Sequence, residues 1–237
     1  MPWAQRTLPN TDRRASLRQL FRDAYTSLQI YGSVPFPPEL RTEEWERLDR
    51  YQFLPIFFPK VIPNEFPARF IPPDWSSVDR ARPHFPVRRS LSGTWMAIEM
   101  IQKSDFRDRQ YALDLLAYTA GIASRFGTSA DSLHNSLISR CAEVIGFPRD
   151  RVRLPSVEEW NWSANIMNYL RIQHSIVFPD LGSTSSSEWC ANACGLDFQS
   201  TIGSGLLGGI SAVRSHPSNL NHPELGFRLI IDLGYRL

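Results

Sequence analysis

Residues 153–164 read RLPSVEEWNWSA. Ser156 followed three residues later by Glu159 is the pattern of a capping box: the hydroxyl accepts from the backbone of the third helical residue, and the carboxylate reaches back to the N–H of the cap. Pro155 stands just before it, so a helix is predicted to begin here. Trp160 and Trp162 cannot face the same side of one helix, so at least one of them must pack beneath the succeeding loops. Glu159 is assigned to the cap and Glu158 to the surface or a salt bridge.

Upstream, residues 129–145 carry Leu133, Leu137, Ile138, Cys141, Val144 and Ile145 at helical spacing, with Ser129 or Asp131 at the start and Gly146 and Pro148 at the end. Residues 108–126, with Tyr111, Leu115, Leu116 and Tyr118, predict another helix, and Ser92–Ile101 a strand opened by Gly93. An amphipathic helix is expected over 12–31. From Val34 to Pro86 prolines recur among Phe53, Phe57, Phe58, Phe66, Phe70 and Trp75, which excludes long helices and central strands and predicts an extended arm wrapped over a folded surface. Beyond Leu170, Gly, Ser and Pro separate short apolar pieces, which argues for loops and short strands. Phe227, Leu229 and Ile231 alternate at strand period.

Taken in order, RLPSVEEWNWSA, VFPDLG (Val177–Gly182), SSSEWCANA (Ser185–Ala193), GLLGGIS (Gly205–Ser211) and RSHPSNLNHPELGFRLI (Arg214–Ile230) resemble the motif series of the formylglycine-generating-enzyme and sulfatase-modifying-factor family. The resemblance covers about 80 residues, a third of the chain, with weaker support back to about His84. It implies an α+β protein: a C-type-lectin-like domain over 85–237, preceded by an N-terminal helix and proline/aromatic arm over 1–84. The residues that carry the motif, and are expected to be structural, are Arg153, Leu154, Pro155, Glu159, Trp160, Glu188, Trp189, Gly208, Gly209, Gly226, Phe227 and Arg228.

The chain departs from the family where the family's chemistry lies. The copper-binding cysteine pair expected after the GG motif is replaced by Ile210, Ser211, Ala212, Val213, Arg214 and Ser215, and no cysteine follows Cys194. Cys190 and Cys194 lie four apart and would share a helix face, yet two soft ligands without a third make an incomplete site, so both are read as core. The family's calcium neighbourhood is reduced to Ser185, Ser186, Ser187 and Glu188, too few hard ligands. The histidines show no HxxxH or HxxE pairing for iron. No metal or other cofactor is therefore expected, and no catalytic residue is assigned. Ser204 in GSGLLGG meets neither a nucleophile-elbow nor a phosphate-loop pattern.

The resemblance implies instead a non-catalytic module binding a protein or ligand, as a subunit of a larger bacterial or phage assembly or of a defence or retroelement system. Contact residues are expected in the polar, proline-stiffened stretch holding Ser211, Arg214, His216, Asn219, Asn221, His222 and Glu224, with the aromatic arm as a second docking element. The rival is a divergent metal- or thiol-dependent oxidoreductase with a relocated site. With 237 residues, 42% hydrophobic, the chain can bury a substantial core. Its net charge of +2, with interspersed signs, argues against nucleic acid as a partner. Three cysteines make no disulfide framework, and no apolar run suggests a membrane segment, so a cytoplasmic location is expected.

Overall fold

The computed structural model describes residues 13–30, 32–61, 90–108, 111, 113–174, 178–207 and 209–236. The expectations placed on Gly208 and on the 62–86 part of the arm lie outside these residues.

The architecture is α+β, with two four-stranded sheets. The first runs β1 (Phe53–Val61), β2 (Leu91–Glu99), β8 (Ile230–Arg236) and β3 (Val152–Arg153), antiparallel throughout. In β1 both prolines are tolerable because the strand pairs on one side only. Pro55 and Pro59 share the outward parity of Phe57, whose carbonyl is turned to the Tyr25 hydroxyl instead of a neighbouring strand. The described part of the expected arm thus holds a nine-residue helix, Thr42–Arg50, and this edge strand rather than extended chain alone, and a boundary between residues 84 and 85 falls between two strands paired with each other.

Helix α1 (Arg13–Ser27) buries Leu17, Phe21, Ala24 and Tyr25 on this sheet. The ring of Phe21 stands edge-on to Trp95, their centroids 5.6 Å apart. A second helix, α2 (Thr42–Arg50), leads into β1 and buries Leu48.

The helix expected over 108–126 is replaced by something shorter. Among its described residues, α3 (Leu115–Thr119) is the one α-helical piece, because Leu113 adopts a left-handed φ of 56° and Asp114 caps the short helix after it, accepting from the Ala117 N–H. The apolar residues that suggested one helix face have different destinations: Leu116 joins the main core, whereas Tyr111 packs with Phe126 and Ile101. The predicted helix at 129–145 is present as a turn over Ala130–Ser132, a π-turn over Leu133–Leu137 and α4 (Ile138–Ile145), capped by Ser129 and closed by left-handed Gly146.

Helix α5 (Val157–His174) touches β1 and β2 of the first sheet and also β4 (Ser187–Ala193) and β5 (Phe198–Ile202) of the second, so it lies between them. That position explains why it lacks a polar stripe. Trp160 and Trp162 are both fully buried on different sides of it, Trp162 donating to Tyr25 and Trp160 to Glu188. The capping box forms as predicted, with Glu159 N–H donating to Ser156 Oγ at 3.1 Å and Ser156 N–H to Glu159 Oε2 at 2.7 Å. Glu158 differs from expectation: it is buried and accepts from Asn192 Nδ2 at 3.3 Å.

The second sheet is ordered β6 (Val213–Pro217), β5, β4 and β7 (Leu225–Gly226), with β4 and β7 parallel. The terminal strand starts three residues later than its alternation suggested. Leu229 N–H donates to the Glu99 carboxylate rather than to a neighbouring strand, and Arg228 turns inward. No helix among the described residues is long and apolar enough to cross a membrane.

Candidate functional site

The motif residues converge on the interior. Glu188, at the start of β4, and Arg228, between β7 and β8, are both fully buried and form a two-point ion pair, Nε to Oε2 at 2.6 Å and Nη2 to Oε1 at 2.9 Å. Trp160 Nε1 donates to the same carboxylate at 2.6 Å and Tyr111 Oη at 2.5 Å, so Glu188 accepts four hydrogen bonds. Arg228 Nη1 also donates to the Glu99 carbonyl at 2.6 Å. Burial acts to raise the Glu188 pKa, but the Arg228 charge and hydrogen bonds, with help from Lys103 and Tyr111, hold it below its ordinary value.

A second buried pair adjoins the first. Arg125 bridges Glu99, at 2.7 and 2.8 Å, and Asp114, at 2.7 and 2.8 Å. The Glu99 carboxylate also takes the Leu229 N–H at 2.6 Å. Desolvation of this kind is offset only when geometry and hydrogen bonding are complete, as they are here. Gly226 belongs to the same assembly: a Cβ there would lie 2.5 Å from Tyr111 Oη and 3.1 Å from Phe126.

Four consecutive residues after β2 fasten the 180–186 loop. Gln102 exchanges two hydrogen bonds with the Asp180 backbone, each 2.9 Å. Lys103 Nζ donates to the carbonyls of Ser186, Gly203 and Thr184 at 2.5, 2.8 and 3.3 Å. The Ser104 carbonyl accepts from Ser186 Oγ, and Asp105 accepts from Ser185 N–H and hydroxyl. Ser204 Oγ and Gly205 N–H then tie the 203–205 loop to Ser185 and Thr184. Gly203 is left-handed, φ 102°, and a Cβ there would strike Trp160.

Arg153 makes a two-point pair with Glu159, Leu154 and Phe227 are buried in the core, and Trp189 donates to the Thr128 carbonyl. Gly209 has φ 69°. The side chains of Arg153, Leu154, Phe227 and Trp189 are engaged within the fold.

The expected contact residues are arranged differently. Arg214, Asn219 and Asn221 are exposed, while Ser211, His216, His222 and Glu224 are partly buried. His216 lies edge-on to Trp189, and its pKa is lowered to about 4 by burial and then by the nearby His222 and Arg214. His222 Nδ1 accepts from Glu224 N–H. The geometry thus joins Arg214, His216, His222 and Glu224, whereas no described contact joins Asn219 or Asn221 to them. The backbone beneath is pinned: Ser218 N–H donates to the Asp197 carbonyl, Asp131 N–H to the Ser218 carbonyl and Ser187 N–H to the Glu224 carbonyl.

Both sulfurs named from the sequence are withdrawn from solvent. Cys190 lies on β4 and Cys194 just beyond it, on a strand rather than a helix. Burial raises both thiol pKa values, with the Glu188 and Glu158 charges adding to the effect at Cys190. Among the described residues no group of three or more His, Cys, Asp and Glu side chains is placed to hold a metal. A groove of ≈ 490 Å³ opens beside Leu113, Tyr118 and Ile122 over the Arg125–Asp114 pair.

Sequence reasoning missed Glu99, Tyr111, Asp114 and Arg125, and the run Gln102–Asp105. A signal existed for one of them, since Glu99 ends an otherwise apolar strand. Compared with known proteins, the chain matches no family model, no curated protein and no solved structure.

Proposed function

We propose that the chain is a non-catalytic protein- or ligand-binding module on a formylglycine-generating-enzyme-like, C-type-lectin-like scaffold, working as a subunit of a larger assembly. The observation that carries this reading is the division of labour between two sets of residues. Glu188, Arg228, Trp160 and Gly226 are engaged inside the fold, while Arg214, Asn219 and Asn221 project from a backbone that hydrogen bonds hold in place. A backbone that is already fixed need not be ordered on binding, so only the side chains are immobilised, a saving that favours a recognition surface. The rival oxidoreductase would need a reactive thiolate at Cys190 or Cys194, and both thiols are buried with raised pKa values.

The test is affinity capture from native lysate with the intact chain and an Arg214→Ala, Asn219→Ala, Asn221→Ala variant, with metals quantified on the same samples. A stoichiometric partner held by the intact chain and lost by the folded variant supports the reading. Equal capture by both overturns the assignment of this surface, and a bound transition metal with no partner favours the rival. Deleting residues 1–84 is a poor probe of the arm, because it removes β1 from its sheet.

A further inference from the structure

The chain holds twenty-four arginines and two lysines. Lys60 is exposed, and Lys103 is fully buried. Among the described residues Lys103 makes no ion pair within salt-bridge distance. Its ammonium points into three main-chain carbonyls, those of Thr184, Ser186 and Gly203.

Three carbonyl oxygens converging on one point repel each other, and together they create a locus that a compact positive charge must occupy. An ammonium suits it, with three donors at tetrahedral angles, and a flat guanidinium fork does not. This explains why a chain that otherwise favours arginine keeps a lysine here. The charged groups around it are Glu188, Arg228, Asp105 and Asp180. Burial lowers the amine pKa to about 8, Glu188 opposes that shift, and Arg228 adds to it. None of these side chains replaces the carbonyls as the direct partner.

We propose that Lys103 is the built-in cation of a main-chain oxygen cage that fixes the 184–186 and 203–205 loops, and that shortening this side chain leaves a binding site for a hard, oxygen-seeking cation. Such ions take carbonyl oxygens and water at short distances, and the volume vacated by the lysine stem would admit the water. The cage serves the fold whatever partner the chain binds.

The test compares wild type, Lys103→Ala and Lys103→Met in thermal unfolding, with calcium, sodium or magnesium chloride against choline chloride at matched ionic strength. The expected result is a lower Tm for K103A that rises saturably with calcium or sodium, by about 3 °C at tenfold over the dissociation constant. Wild type and K103M, whose apolar side chain fills the space, should not respond. A K103A Tm indifferent to all three cations, or an equal rise in wild type, overturns the proposal. Should K103A fail to fold, amine acylation of native wild type read by mass spectrometry decides. Lys103 should react on the order of a hundredfold slower than Lys60, and equal rates would refute the cage.

Discussion

The interior around Glu188 and the outward stretch from Ser211 to Glu224 are both polar, and they use polarity in opposite ways. Inside, Glu188, Glu99 and Asp114 face Arg228, Arg125 and the nearby Lys103, three carboxylates with three cations, with several side chains making multiple hydrogen bonds. Outside, the backbone is bonded and several side chains are left in solvent. A motif residue in this chain therefore indicates how the fold is held. Under the proposed reading, recognition belongs to the outer stretch, whose exposed side chains the interior does not use.

That contrast can be broken most forcefully from the inside. Arg228→Met strands a buried carboxylate and should cost about 3–5 kcal/mol in urea unfolding, with much of it recovered when Glu188→Leu is added. A loss under about 1 kcal/mol would mean that water reaches the pair and that the interior is not what holds the sheets. Gly226→Ala forces a methyl group against Tyr111 and Phe126 and should cost about 1–3 kcal/mol by the same measurement. Ser156→Ala removes one half of the capping box, with an expected loss of about 1 kcal/mol. Asn219→Ala and Asn221→Ala should each stay within about 0.5 kcal/mol of wild type, and a larger loss would show that the outer stretch also bears structure.

Acidity sharpens the same contrast. Glu188 and Glu159 both have folded pKa values below their ordinary value, so their contribution is fully present above that value. It is lost as pH falls through the lowered folded values, because the unfolded chain takes up protons first. Urea midpoints measured from pH 7 down through the acid range should therefore fall below the ordinary carboxylate pKa. Glu159→Gln should flatten part of that fall.

Local rules made part of the fold legible in the sequence. The helix entering at Ser156, the left-handed stop at Gly146 and the amphipathic α1 depend on neighbours within a few positions, and each appears close to where it was expected. The 108–126 stretch was misread because its apolar spacing matched a helix while its residues serve two separate clusters. Glu99, Arg125 and Lys103 were not legible as a site, since their partners lie 11 to 130 positions away and most of them beyond 25. Of the expected contact residues, solvent exposure is realised at Arg214, Asn219 and Asn221, and His216 instead leans on Trp189.

The order of the first sheet also has a consequence for synthesis. β2 lies between β1 and β8, and Ile98 pairs with Ile230, about 130 residues further along the chain. At ribosomal speed the largely apolar β1–β2 hairpin therefore waits on the order of ten seconds for the strand that completes its inner edge. During that interval the open side of β2 is a template for misplaced pairing, so a nascent chain of this protein should be a client for holding chaperones until β8 emerges.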